Sequence, residues 1–127
     1  MGHKENIPSM AELSVSIPIS EMLGHFCQFL DDFEGAQDKA ALIADEPHWS
    51  SNPGRWPYDF AACAHKLAND NALEVPEWTL KEEYISPVPQ CAFGTEDPEF
   101  RKYLEMTTPA EYAQRNLFLG ENVAKRA

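Results

Sequence analysis

Ile19, Met22, Leu23, Phe26, Phe29, Leu30 and Phe33 follow one another at spacings of three or four residues. That period places all seven on one face of an α-helix. An apolar face of this length has to be covered by other elements of the fold. No other segment alternates apolar and polar residues over the length of a strand, so the covering elements are read as helices. Pro18 suits the first helical turn, where its missing N–H costs nothing, and Gly35 is read as the stop. Asp31, Asp32 and Glu34 sit at the C-terminal end, which the helix dipole disfavours.

The rest of the chain repeats this grammar in shorter pieces. Residues 36–45 read as a second helix with Ala40, Leu42 and Ile43 on its inner face, ended by Pro47. A polar loop with Pro47, Pro53 and Gly54 holds His48 and Trp49. A third helix runs from Pro57 to Asp70, with Phe60, Cys63, Ala64 and Leu67 inward and Trp56 at its start. Val75-Pro76-Glu77-Trp78 is a connector, and Thr79 with Glu82 reads as a capping box for one short turn. Ser86-Pro87-Val88-Pro89 is extended, because each proline drives its predecessor out of the helical region. A fourth helix is expected from Pro98 to Met106, and Thr108 with Glu111 reads as the capping box of a short helix to Asn116. Leu117-Phe118-Leu119 is too short to classify, and a closing helical turn is expected over 121–127. The ten prolines are spread along the chain and punctuate short elements. The expected fold is all-α: an irregular single-domain bundle of four to six helices with long, proline-marked connections. Residues 1–14 are expected to be a flexible lead and 15–127 the helical domain.

Charge narrows the function classes. The chain carries 21 acids and 10 bases, a net charge of −11. Residues 1–54 hold nine acids against two bases, whereas residues 100–127 hold three acids against five bases. A phosphate backbone repels such a molecule, so direct nucleic-acid binding is not expected. A basic protein is the partner that an acidic front would attract. No apolar run approaches the ~20 residues of a membrane span, and no secretory leader is read at the start. Cys27, Cys63 and Cys91 are odd in number and widely spaced, which suits reduced thiols and a cytoplasmic setting.

Motifs for chemistry are sparse. His25-x-Cys27 and Cys63-x-His65 have zinc-ligand chemistry, but residues two apart on a helix point to different faces. No metal, cofactor or catalytic residue is therefore assigned. Cys91 is the thiol expected to be exposed. An enzyme would require a Cys/His site assembled only in space. Trp49, Trp56 and Trp78 lie at or beside loops, and tryptophans of this kind supply interface anchors. Trp49 is expected to be partly exposed. Arg115, followed by Phe118 within Leu117-Phe118-Leu119, completes the candidate partner-binding set.

The run Thr108-Pro109-Ala110-Glu111-Tyr112 to Arg115-Asn116-Leu117-Phe118-Leu119, with the helix Phe60–Leu67 and the Val75–Trp78 connector, resembles a loosely defined group of small bacterial helical proteins. These look like accessory or antitoxin-like partners of toxin systems. The resemblance implies no catalytic residues. The expected function is a non-enzymatic, antitoxin-like module that binds a basic protein. An acidic inhibitor mimicking nucleic acid, and a small enzyme with an assembled Cys/His site, are the alternatives.

Overall fold

The computed structural model describes residues 7–49, 52–121 and 123. The described residues are predominantly helical and contain six α-helices and one two-stranded sheet. They group into two compact units, one within residues 1–54 and one within residues 55–125.

The first unit holds α1 (Met10–Ser16), α2 (Met22–Gly35) and α3 (Lys39–Ala44). Residues 10–14 were expected to belong to a loose lead, but they are helical; residues 1–6 of that lead lie outside the described residues. The cause is local. Ser9 Oγ accepts from the Glu12 N–H at 3.2 Å, and Glu12 Oε1 accepts from the Ser9 N–H at 2.9 Å. This reciprocal capping box satisfies two donors that a helix start otherwise strands. Met10 and Leu13 then reach the core, which also takes Met22, Phe29, Leu30, Phe33, Leu42 and Ile43. The inner face of α2 is narrower than its stripe, since Leu23 is 65% exposed. Ile19 falls in a 3-10 turn ahead of the helix. Asp38 caps α3 by accepting from the Ala41 N–H. Ser14 is buried; its hydroxyl donates to the Ala11 carbonyl and accepts from the His48 N–H at 2.9 Å. One hydroxyl thus ties the chain beyond α3 to α1.

The second unit is built on α4 (Trp56–Asp70), with α5 (Pro98–Thr107) and α6 (Ala110–Ala113). The 3-10 turn Glu77–Leu80 and α6 both pack on α4. Ala61, Ala62, Ala64 and Ala68 are fully buried, and their small side chains let neighbouring backbone come close to the helix. The α4 helix ends in a Schellman motif: the Leu73 N–H donates to the Ala68 carbonyl, and the Ala72 N–H donates to the Asn69 carbonyl. Ala72 supplies the left-handed residue at φ 56, a position that favours glycine.

Two expected capping boxes are absent. Thr79 instead donates to the Pro76 carbonyl at 2.7 Å. Thr108 donates to the Leu104 carbonyl and accepts from the Gly120 N–H at 2.9 Å, fastening the chain after α6 back to the end of α5. A short parallel pairing also forms where no strand was expected. β1 (Gln90–Cys91) aligns with β2 (Leu117–Phe118), Gln90 opposite Leu117. Asn116 makes it possible by adopting φ 64, donating from Nδ2 to the Ser86 carbonyl and accepting from the Gln90 N–H at 2.7 Å. Asparagine tolerates this left-handed turn better than other side chains. Apart from Glu121 and Val123, the closing turn expected at 121–127 lies outside the described residues.

Candidate functional site

The five candidate residues separate on burial. Trp49 is partly exposed in the stretch after α3, in the first unit. Trp56 is half-buried at the start of α4, its ring edge-on to Phe60 at 6.0 Å. Phe118 is half-buried in β2 beside the wholly buried Leu117. Trp78 is 6% exposed and packs edge-on against Tyr84 at 5.5 Å. Arg115 is 2% exposed. Trp78 and Arg115 therefore have almost no surface to present, and their expected role as contact residues is corrected to one inside the second unit.

The reason for burying Arg115 is the short helix before it. The last carbonyls of a helix lack intrahelical donors. Arg115 reaches back to supply one: Nη1 donates to the Glu111 carbonyl at 2.7 Å. Nη2 donates to the Thr79 carbonyl at 2.7 Å and so joins α6 to the Glu77–Leu80 turn. Nη1 also lies 3.2 Å from His65 Nδ1, and Gln114 Nε2 lies 3.1 Å from the same atom. Both neighbours are donors, so Nδ1 accepts and the imidazole proton sits on Nε2. Partial burial, then the Arg115 charge, push His65 below its usual value against the pull of Glu111. His65 is therefore a neutral acceptor at neutral pH. Glu111 has its carboxylate engaged by Asn69 Nδ2 at 2.8 Å.

Arg115 is one of the residues lining a groove of about 180 Å³, with Thr79, Leu80, Lys81, Ile85 and Gln114. Sequence reasoning missed every one of these residues except Arg115. Gln114 beside Arg115 was the available signal, as two adjacent donors at the end of a short helix.

A second groove, about 470 Å³, lies in the first unit. Glu12, Asp38 and Asp45 stand around it, with Ile7, Ala11, Ala41 and Leu42 as apolar surface. Glu12 and Asp38 are there because they cap α1 and α3. The cap chemistry marks both in the sequence, though not their convergence with Asp45.

The histidines and cysteines do not form a site. Among the described residues no cluster of His, Cys, Asp or Glu is placed to hold a metal ion. Cys63 is buried, and its thiol shares a hydrogen bond with Tyr112. Burial pushes that thiol up to about 12, so it carries no thiolate at neutral pH. Asp59 is also buried; loss of solvent raises its pKa, and Arg55, at 3.1 Å from Oδ2, pulls the other way. Cys91, expected to be exposed, is half-buried in β1. No described helix is long and apolar enough to cross a membrane. Comparison with protein-family models, with curated proteins and with solved structures finds no match to the chain.

Proposed function

We propose that the chain is a non-enzymatic protein-interaction module that binds a basic protein through the acidic groove of its first unit, in the manner of an antitoxin-like partner. The observation that carries this reading is the convergence of Glu12, Asp38 and Asp45 on one groove whose lining also includes Ile7, Ala11, Ala41 and Leu42. Such a groove takes a lysine or arginine side chain by both its charge and its methylene stem. Its surroundings reinforce the field. Glu21, Asp31 and Glu34 are exposed in the same unit. Lys39, the one base among that unit's described residues, is turned inward: Nζ donates to the Ala36 carbonyl and lies 6.0 Å from the Phe33 ring centre. Concentrated like charge raises the encounter rate with an opposite partner and makes binding salt-sensitive.

Asp45→Lys tests the reading with little risk to the fold, since Asp45 is exposed at the C-terminal end of α3, where an acid is unfavourable. Native capture should retain a basic protein on the wild type at ~50 mM salt, and lose it at ~500 mM as charges are screened. Asp45→Lys should lose it at both. Equal retention by the variant would sink the proposal. Competition by DNA for the same partner would point instead to nucleic-acid mimicry.

A further inference from the structure

We propose that His65 is a proton-operated switch on the contact between α4 and α6: the neutral ring holds Gln114 and Arg115, and the protonated ring lets both go and turns to Glu111. The switch lies within the second unit and does not depend on the acidic groove of the first.

The surroundings of one atom carry the argument. His65 Nδ1 is approached by Arg115 Nη1 at 3.2 Å and by Gln114 Nε2 at 3.1 Å. A guanidinium has donors only, so Nδ1 presents a lone pair to it. Both nitrogens of an imidazolium are donors. A proton on Nδ1 would therefore aim an N–H at two donors, one of them a cation. Gln114 can turn its amide over and offer the oxygen. Arg115 has no such alternative, because Nη1 is held by the Glu111 carbonyl and Nη2 by the Thr79 carbonyl, each at 2.7 Å. The ring is the part that moves: it is half-buried, whereas Arg115 is 2% exposed.

Glu111 gives the displaced ring somewhere to go. Its charge draws a proton toward His65, against burial and the Arg115 charge. The same carboxylate acts on Arg115, and it accepts from Asn69 Nδ2 at 2.8 Å. Asn69 lies four residues beyond His65 on α4, one turn along the same face. A short swing therefore lets a cationic His65 share that carboxylate. The charges that act on the ring are Arg115 and Glu111. Elsewhere on α4, Asp59 is paired with Arg55 and Lys66 with Asp70. In the turns packed on α4, Glu77, Lys81, Glu82 and Glu83 are exposed to solvent.

Partial burial, then the Arg115 charge, lower the pKa of the ring from its usual 6.5, so the arrangement described is that of the neutral ring and acid selects the other. Gln114 and Arg115 also line the groove that carries the exposed Leu80 and Ile85. Gln114 is itself exposed, so its release reshapes that groove and converts proton uptake into a change of surface.

NMR titration of the full chain from about pH 8 to about pH 5 tests this, read at the His65 ring nitrogens, the Gln114 side-chain amide and the Arg115 Nε–H. At the upper end the proton is expected on Nε2, with Nδ1 bare. On acidification Nδ1 should gain its proton with a midpoint below that of the same ring in the urea-unfolded chain. The Gln114 and Arg115 signals should move with that midpoint. Gln114→Glu, at an exposed position, puts a carboxylate where the amide donor stood and should raise the proton affinity of the ring by about tenfold. Glu111→Gln should lower it. His65→Asn should abolish the movement at Gln114 over this range. Each of the following would overturn the proposal: a proton on Nδ1 at the upper end, a midpoint at or above the unfolded one, or a titration that leaves Gln114 and Arg115 still. So would an unmoved midpoint in Gln114→Glu, a raised one in Glu111→Gln, or unfolding of the whole chain before Gln114 responds.

Discussion

Arg115→Lys isolates the geometry of the buried guanidinium from its charge. In the wild type, separate nitrogens serve the Glu111 and Thr79 carbonyls, each at 2.7 Å. An ammonium is a point donor on a flexible stem and reproduces one of these bonds, leaving the other carbonyl buried without a partner. Thr79 is 1% exposed, so water cannot readily replace the donor. The cost of one such stranded acceptor is about 1–3 kcal/mol. Loss of the bond to His65 Nδ1 adds a few tenths, because that site is partly solvated and Gln114 still donates to it. A net loss of about 2 kcal/mol is expected, equivalent to roughly 8 °C in Tm for a chain of this length. Urea unfolding followed by near-UV circular dichroism reports the packing of Trp78 and Tyr84 and gives the free energy directly. Arg115→Met, which abolishes both bonds, should fall further. An Arg115→Lys variant within about 0.5 kcal/mol of the wild type, at unchanged m-value, would refute the claim that the fork joins α6 to the Glu77–Leu80 turn.

Ala72→Gly should stabilise the protein by about 0.5–1 kcal/mol, because relief at the left-handed position outweighs the added freedom of the unfolded chain; a loss of stability in urea would contradict this. Ser9→Ala should cost about 1 kcal/mol by removing the capping box, with the loss of protection in hydrogen exchange confined to α1. His65 has a folded pKa below its unfolded value of 6.5, so the unfolded chain takes the proton first. Its contribution is therefore complete above pH 6.5 and falls away as the pH drops towards the lowered folded value; His65→Asn should flatten that part of the stability profile. Cys63 should stay unmodified by iodoacetamide in native protein at pH 8 and react on unfolding, which mass spectrometry of the labelled peptide decides.

The helices α2, α4 and α5 were legible because each combines a 3.6-residue apolar stripe with a proline or glycine at a boundary. The α1 helix was not read, although Ser9-x-x-Glu12 ahead of Leu13 carries its start signal; the helix is too short for its stripe to stand out. The pairing of β1 with β2 had no pattern to show, since two residues cannot alternate and Asn116 sets the turn. Nothing in the sequence around Arg115 marks it as buried. Its burial follows from stranded carbonyls on two elements distant in sequence, and only tertiary structure brings those together. The acidic front was plain from composition, but the groove is not, because Asp45 meets Glu12 and Asp38 only once α1 and α3 pack.

Asn116 and its neighbours have a consequence for chain connectivity. The Ser86 N–H donates to the Arg115 carbonyl, the Gln90 N–H to that of Asn116, and Asn116 Nδ2 to that of Ser86. These bonds clasp the two ends of residues 92–114, a stretch that carries α5 and α6 and packs into the unit through Leu104 and Tyr112. Gly94, Glu96 and Asp97 are exposed within it. Cleavage there would divide the covalent chain without dividing the packed unit, and the two fragments would remain together until the clasp opened. The exposed turn around Gly94, Glu96 and Asp97 is likewise a place where foreign sequence can be inserted without cutting a helix.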